Sequence, residues 1–280
     1  MNKVIITADS SCDMPPALLQ KYGIPIIPFY VNFDNESFRD NIDIDRDTLF
    51  QRVKETGVLP KTASIAPADF SAFFAEHLKN SGGIVHISIG SHLSSAFQNA
   101  TIAATEFDNV FVVDSQALSS AESLIILYAA SLAEAGHDAK LIAEEATSYA
   151  KRCDISFVLD TLTYMSKSGR CSSITSLGAN LLGIKPALSM KDGDLGVGKK
   201  YRGKMKMVLP KYIKERLADA SVDSTRAFIT HTGVDNETMA LVMQAVEETG
   251  MFKEIIVSEA GCVIASHCGP GTLGVLFVRE

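Results

Sequence analysis

The sequence predicts an α/β protein in two domains, and three observations carry that reading. At 280 residues the chain is longer than one typical domain. Short apolar runs alternate with amphipathic segments through its first half, the pattern of a parallel sheet covered by helices. The alternation changes near 153–160, after the basic pair Lys151-Arg152, so the chain is expected to divide into 1–155 and 156–280. With 46% hydrophobic and 21% charged residues, the composition is that of a chain with a sizeable core, neither disordered nor fibrous.

VIITA (4–8) opens the first block as a strand, and a helix follows Pro15. IPIIPFYVNF (24–33) reads as the second strand, with a helix from about Arg46. The stretch GVLPKTASIA, between Thr56 and Pro67, has no helical period and is bounded by prolines. Residues 56–67 are therefore expected to be extended, with packing against the second domain as one option. Pro67 suits the first turn of the next helix. GIVHISI (83–89) and NVFVVD (109–114) are strands that lead into helices from Ser94 and Ser119, and a helix over 138–152 closes the block. The second block begins with ISFVLD (155–160) and a Ser/Gly/Arg-rich segment (166–180), then strand-like IKPALSM (184–190) and a turn at Lys191-Asp192-Gly193. A basic helix from about 204, the strand AFITHT (227–232), an amphipathic helix (235–249), EIIVSEA and a C-terminal GTLGVLFV complete it.

Lys and Arg number 26 against 33 Asp and Glu, leaving a charge of −7 that speaks against nucleic acid as a partner, since such affinity comes from neutralising phosphates. The longest apolar stretch, LIILYAASLA (124–133), falls short of the roughly 18–20 residues of a membrane span, so no integral membrane segment is expected. Lys3 is followed by only VIITA before Asp9, too little apolar length for a signal peptide, which makes a cytoplasmic protein the expectation. Five Cys without a C-x-x-C pair suit reduced thiols. None of the six His stands in H-x-x-x-H or H-E-x-x-H spacing, and no metal site is expected.

GPGTLG (269–274) matches the dinucleotide pattern G-x-G-x-x-G, but only VLFVRE follows it, a strand pattern with no room for the required helix. GDLGVGKK (193–200) puts Lys200 where a phosphate loop needs a hydroxyl, and a glycine-rich hairpin is the better account. The most chemically loaded segment is ISIGSHLSSAFQNA (87–100), where a strand runs into a hydroxyl-rich turn that opens a helix. Ser94 or Ser95 suits the N-cap, and the free N–H groups and positive dipole end make a receptor for carboxylate or phosphate. A cap that binds nothing is the competing account. His92, His231 and His267 sit at strand-to-loop junctions, from which α/β folds present ligands. Ser94 with His267 raises Ser–His hydrolysis, although neither a G-x-S-x-G elbow nor an acidic partner is evident. Arg170, behind Gly169, and Arg202 in YRGKMK (201–206) concentrate positive charge that suits an anionic partner or substrate, or simply a solvated helix start.

Seven segments, in this order and across essentially the whole chain, resemble the DegV family of bacterial proteins, whose characterised members bind fatty acids. They are DSSCDMP (9–15), TASIAPADF (62–70), HLSSAFQNA (92–100), VVDSQALSSAES (112–123), LDTLTYMSKSGR (159–170), LLGIKPALSMKDGDL (181–195) and SHCGPGTLGVLF (266–277). The resemblance implies a three-layer α/β/α first domain with a mainly parallel sheet and a two-layer α/β second domain with a mixed sheet. It further implies a buried long-chain fatty acid as ligand and no cofactor. The chain is similar to the fatty-acid-binding subunit of bacterial fatty acid kinase, which implies a carrier that is not an enzyme alone and presents the carboxylate to a separate ATP-using kinase subunit for acyl phosphate formation. By motif, the carboxylate contacts fall on Thr62, Ser94, Ser95 and His267, and the phosphate or kinase-partner contacts on Arg170 and Arg202, with no catalytic or metal residue. A lipid-sensing or buffering protein with no phosphorylation step is the alternative, and a Ser/His hydrolase a weaker one. The family commonly reads T-S-x-P-S-P where this chain has Thr62-Ala63-Ser64-Ile65-Ala66-Pro67, and glycine where it has Ser95, Ala121 and Ser123. The added volume is expected to narrow the pocket or change the head-group contacts.

Overall fold

The computed structural model describes residues 3–175, 183–218 and 220–280; the end of the Ser/Gly/Arg-rich segment and the start of LLGIKP, over 176–182, lie outside these. The first half forms β1 (Val4–Asp9), α1 (Pro16–Tyr22), β2 (Ile26–Ile27), β3 (Tyr30–Phe33), β4 (Glu36–Arg39), α2 (Arg46–Thr56), β5 (Lys61–Ala63), α3 (Pro67–Leu78), β6 (Gly83–Ser88), α4 (Ala96–Ala104), β7 (Val110–Asp114), α5 (Ser120–Glu134) and α6 (Ala139–Ala150). The second forms β8 (Cys153–Val158), α7 (Thr163–Ser168), α8 (Ser172–Thr175), β9 (Ile184–Lys191), β10 (Asp194–Arg202), α9 (Met205–Leu217), β11 (Val222–His231), α10 (Asn236–Glu247), β12 (Glu254–Glu259), α11 (Cys262–Cys268) and β13 (Leu273–Arg279). Among the described residues no helix is long and apolar enough to cross a membrane.

A parallel sheet in the order β2-β1-β6-β7 forms the centre of the first domain. Strand β6 is buried along its whole length, as a parallel strand covered on both faces must be. His86 turns to one face, its ring edge-on to Phe70 and Phe74 of α3. Gly83, three residues earlier and therefore on the opposite face, brings its backbone close to Ala139 of α6. These are the outer layers of the α/β/α sandwich. Burial holds the His86 imidazole near a pKa of about 3, so it is a neutral core histidine bonded through Nδ1 to Thr7 Oγ1 at 2.9 Å.

The second domain is a mixed sheet in the order β10-β9-β8-β13-β11-β12, in which only β11 and β12 run parallel. Side chains alternate across it with period two. On β13, Leu273, Val275 and Phe277 join the core shared with Leu209 and Ile213 of α9 and Val242 of α10, while Leu276 and Val278 join the core of the first domain. Helix α5 lies between the two sheets and contacts β1 and β6 on one side and β8, β11 and β13 on the other. It is buried over most of its length for that reason.

The run 24–33, helix α11 and the start of helix α4 differ from the sequence expectation, while the segment 56–67 is extended as expected. The run 24–33 is not one strand: β2 pairs with β1, whereas β3 pairs antiparallel with β4 and β5 in a separate three-stranded sheet. Pro28, which has no N–H for a ladder, stands at the break. The extended segment 56–67 supplies β5 to that small sheet. Helix α11 stands where a strand-to-loop junction was expected, so His267 belongs to the last turn of a helix. Helix α4 begins at Ala96, with Ser95 as a cap residue whose side chain makes no capping bond. GPGTLG, by contrast, runs into strand β13, and 193–200 lies in the β9–β10 hairpin.

Gly274 of β13 lies directly against Phe157 of β8, where a Cβ would stand 2.7 Å from Ser156 O and 2.9 Å from Phe157 Cβ. Gly274→Ala is therefore expected to cost about 1–3 kcal/mol of stability through overpacking. Urea unfolding checks this. An unchanged midpoint would show that the contact relaxes freely.

Candidate functional site

Strand order β2-β1-β6-β7 places the point where the winding reverses between β1 and β6, and α/β sheets bind ligands outside the carboxyl ends of strands at that point. A cavity of about 170 Å³ opens there. Its first-domain wall consists of residues that follow strands: Phe29 after β2, Ile89, Leu93, Ser94 and Ser95 after β6, and Leu118 after β7. Thr62 of β5 and its neighbour Ser64 form one side. The second domain adds Phe157, Met165, Arg170 and Leu195, and α11 adds Val263, Ile264, His267 and Cys268. Asp9, at the end of β1, fixes the turn after β6 by accepting the Ile89 N–H at 3.0 Å and the Ser88 hydroxyl at 3.2 Å. A separate void of about 20 Å³ lies on the far side of Leu118, Phe157, Ile264 and Cys268, which line both spaces.

Polar groups interrupt the apolar lining. Thr62 Oγ1 and His267 Nε2 are 2.9 Å apart. Burial, and secondarily the positive charge of Arg170, pulls the His267 pKa down to about 4, so the ring is neutral at pH 7. Ser94 Oγ accepts the Ala96 N–H at 3.2 Å, which leaves its own proton free to donate. Arg170 is exposed, donates to Ser168 O at 2.6 Å, and has no carboxylate partner among the described residues. Hydroxyls and a neutral imidazole on an otherwise apolar wall, with the exposed cation of Arg170 at its edge, are the kinds of group that suit a single anionic head on an apolar body.

Thr62, Ser94, Ser95, Arg170 and His267 are thus brought together, from positions 62 to 267 of the chain. Arg202 is not: it is the last residue of β10, exposed and off the cavity wall. His92 points its Nδ1 to Asp194 Oδ1 at 3.1 Å, and His231 Nδ1 accepts the Gly233 and Val234 N–H groups, so both hold loops. The Ser–His relay is also missing, since His267 Nε2 bonds Thr62 and its Nδ1 has no partner among the described residues. Of the six departures from the family pattern, only Ser95 reaches the cavity wall. Ile65 is core and its carbonyl accepts Asn99 Nδ2, Ser123 donates to Cys12 O, Ala121 is buried in α5, Ala63 pairs with Tyr30, and Ala66 caps α3 without a side-chain bond. The expected narrowing is confined to one residue. Ser64 was not singled out, although its two-residue offset from Thr62 in an extended segment signals a shared face.

A family model described as "Uncharacterised protein, DegV family" matches residues 3–280. The chain is 31% identical over 282 residues to a DegV domain-containing protein of Clostridium perfringens, with 100% of both chains covered. Its structure is similar to that of a DegV family protein from Thermus thermophilus solved for fatty acid binding, with a TM-score of 0.90 at 31% identity over 99% of this chain and 100% of that one. It is also similar to DegV, a fatty acid binding protein from Bacillus subtilis, with a TM-score of 0.87 at 25% identity and 100% of both chains covered.

The neutral ring of His267 is open to direct measurement. An NMR titration is expected to show it unprotonated at pH 6 and gaining its proton only near a pKa of about 4, below the ordinary histidine value because burial disfavours the charged form. A ring that titrates at the ordinary value would mean that the site is wet and open.

Proposed function

The chain belongs to the DegV family, and from that premise we propose that it is a fatty-acid carrier. It buries a long acyl chain and binds the carboxylate through Thr62, Ser94, Ser95 and His267. A separate ATP-using kinase subunit then converts that carboxylate to acyl phosphate. The observation that carries the binding half is the group of hydroxyls and neutral imidazole on an apolar cavity at the winding reversal of the parallel sheet. The relatives from Thermus thermophilus and Bacillus subtilis, described as fatty acid binding, support it.

The chemistry agrees with that role. A carboxylate held by neutral donors, with no tight Arg pair, keeps an oxygen lone pair accessible for phosphoryl transfer. Burying about fifteen methylenes at ~0.8 kcal/mol each gives roughly 12 kcal/mol of gross driving force, from which association and ordering costs are subtracted. The acyl tail runs from the cavity toward Leu118, Phe157, Ile264 and Cys268, whose repacking would open the small void beyond them. Arg170 on the cavity wall and exposed Arg202 beside Lys204 serve the phosphate or the kinase interface. The domains divide near residue 155, with β5 contributing to a site that both share. Five free cysteines support a cytoplasmic location.

Native mass spectrometry of protein purified without added lipid is expected to find one fatty acid per chain; an empty protein that refuses added fatty acids of several lengths would overturn the reading. Ser94→Ala should weaken retention by about 1–3 kcal/mol, the range for a hydrogen bond to a charged group. Equal retention would remove Ser94 from the site.

Arg202→Ala separates carrying from turnover. Near-normal fatty-acid content is expected, with a large fall in acyl phosphate when a matching kinase subunit and ATP are supplied, because a surface charge acts on encounter and not on apolar burial. Turnover equal to the parent's would take Arg202 out of the mechanism. A parent that holds lipid but yields no acyl phosphate would be a buffering or sensing protein.

A further inference from the structure

Helix α11 forms a wall of the cavity through Val263, Ile264, His267 and Cys268, residues spaced to share one face. Its other end is held by the first domain. Asp13 Oδ1 accepts the Gly261 N–H at 2.8 Å, and Asp40 Oδ1 accepts the next N–H, that of Cys262, also at 2.8 Å. Both carboxylates are buried, at 5% and 1% exposure, and neither forms an ion pair among the described residues. The second oxygen of each is held by a first-domain hydroxyl, Ser119 on Asp13 and Ser10 on Asp40. Ser258 adds a bond from the second domain to Asp13 O. The fit leaves no room at the helix start, since a Cβ on Gly261 would stand 2.5 Å from Asn41 Nδ2 and 3.2 Å from Asp40 Oδ1.

We propose that Asp13 and Asp40 are the positioning residues of the head-group site, a two-point clamp that fixes the rotation of α11 and thereby directs His267 Nε2 at Thr62. One bond to a helix end leaves the helix free to turn about it. A second bond, to the N–H of Gly261 in the extended cap that leads into the helix, fixes the direction of entry as well and removes that freedom. His267 lies five residues beyond Cys262, roughly 7–8 Å along the axis at 1.5 Å per residue, and on so short a helix a rotation at the start is delivered to its last turn. The proposal rests on reading His267 as a head-group contact, but the clamp itself is complete without a ligand.

The test compares Asp13→Ala and Asp40→Ala with Asp13→Asn and Asp40→Asn. An asparagine keeps the Oδ1 acceptor for the helix N–H, whereas alanine removes it. In ligand-free protein, with folding checked by thermal melting, the alanine variants should displace the ¹⁵N resonances of the His267 ring. They should also weaken oleate binding about tenfold, and the asparagine variants should restore both to within about twofold of the parent. Where an alanine variant does not fold, Gly261→Ala carries the test, since it retains both carboxylates but shifts the helix start and should move the same resonances. Folded alanine variants with parental His267 resonances, or asparagine variants that lose as much as alanine, would overturn the clamp. A parent that binds no oleate would defeat the carrier reading and leave the ring resonances to decide the clamp on their own.

Discussion

Buried carboxyl groups without cations must be satisfied by hydrogen bonds, and Asp13 and Asp40 each pair one oxygen with a first-domain serine and the other with a backbone N–H of the second domain. Burial raises the two pKa values, to about 8 for Asp13 and about 6 for Asp40, against the lowering effect of those bonds. Satisfying them requires the start of α11 to sit against the loops after β1 and β4. That placement brings His267 beside Thr62, and the cavity closes around the pair. Other polar contacts cross the boundary, among them Ser258 to Asp13 O, Ser120 with Thr230, and the ion pair of Arg46 with Glu259.

Apolar packing crosses the same boundary more broadly. Phe157, Leu188, Phe228 and Leu276 leave the second sheet to join the first-domain core, so the second domain buries both faces of its sheet. Thr62, Ser64, Ser94, Ser95, Arg170 and His267 interrupt the apolar lining of the cavity at this boundary, an arrangement that suits an anionic head with its tail among apolar walls.

Much of this was legible in the sequence. Strands β1, β6, β7, β11 and β13 announce themselves as apolar runs between turn residues, and Asp138 and Asp235 cap α6 and α10 where the pattern begins each helix. The break at Pro28 was hidden because both sides of it are apolar, and the small sheet that follows depends on pairing with β5 some thirty residues later. Helix α11 was hidden because seven residues make only two turns, too few to establish a period. The pairing of Thr62 with His267 spans 205 residues and leaves no local trace. Those site residues came from resemblance to a family, while the apolar walls, drawn from many elements, had no motif at all.

The carboxyl carbon of a bound fatty acid reports on the head-group site most directly. With ¹³C-carboxyl-labelled oleate, NMR of the complex should give one narrow carboxyl line, displaced from that of oleate in lipid vesicles and displaced again by Thr62→Ala. A carboxyl line that titrates as it does in vesicles and is indifferent to Thr62→Ala would place the head group in solvent and contradict a carboxylate bound where the two domains meet.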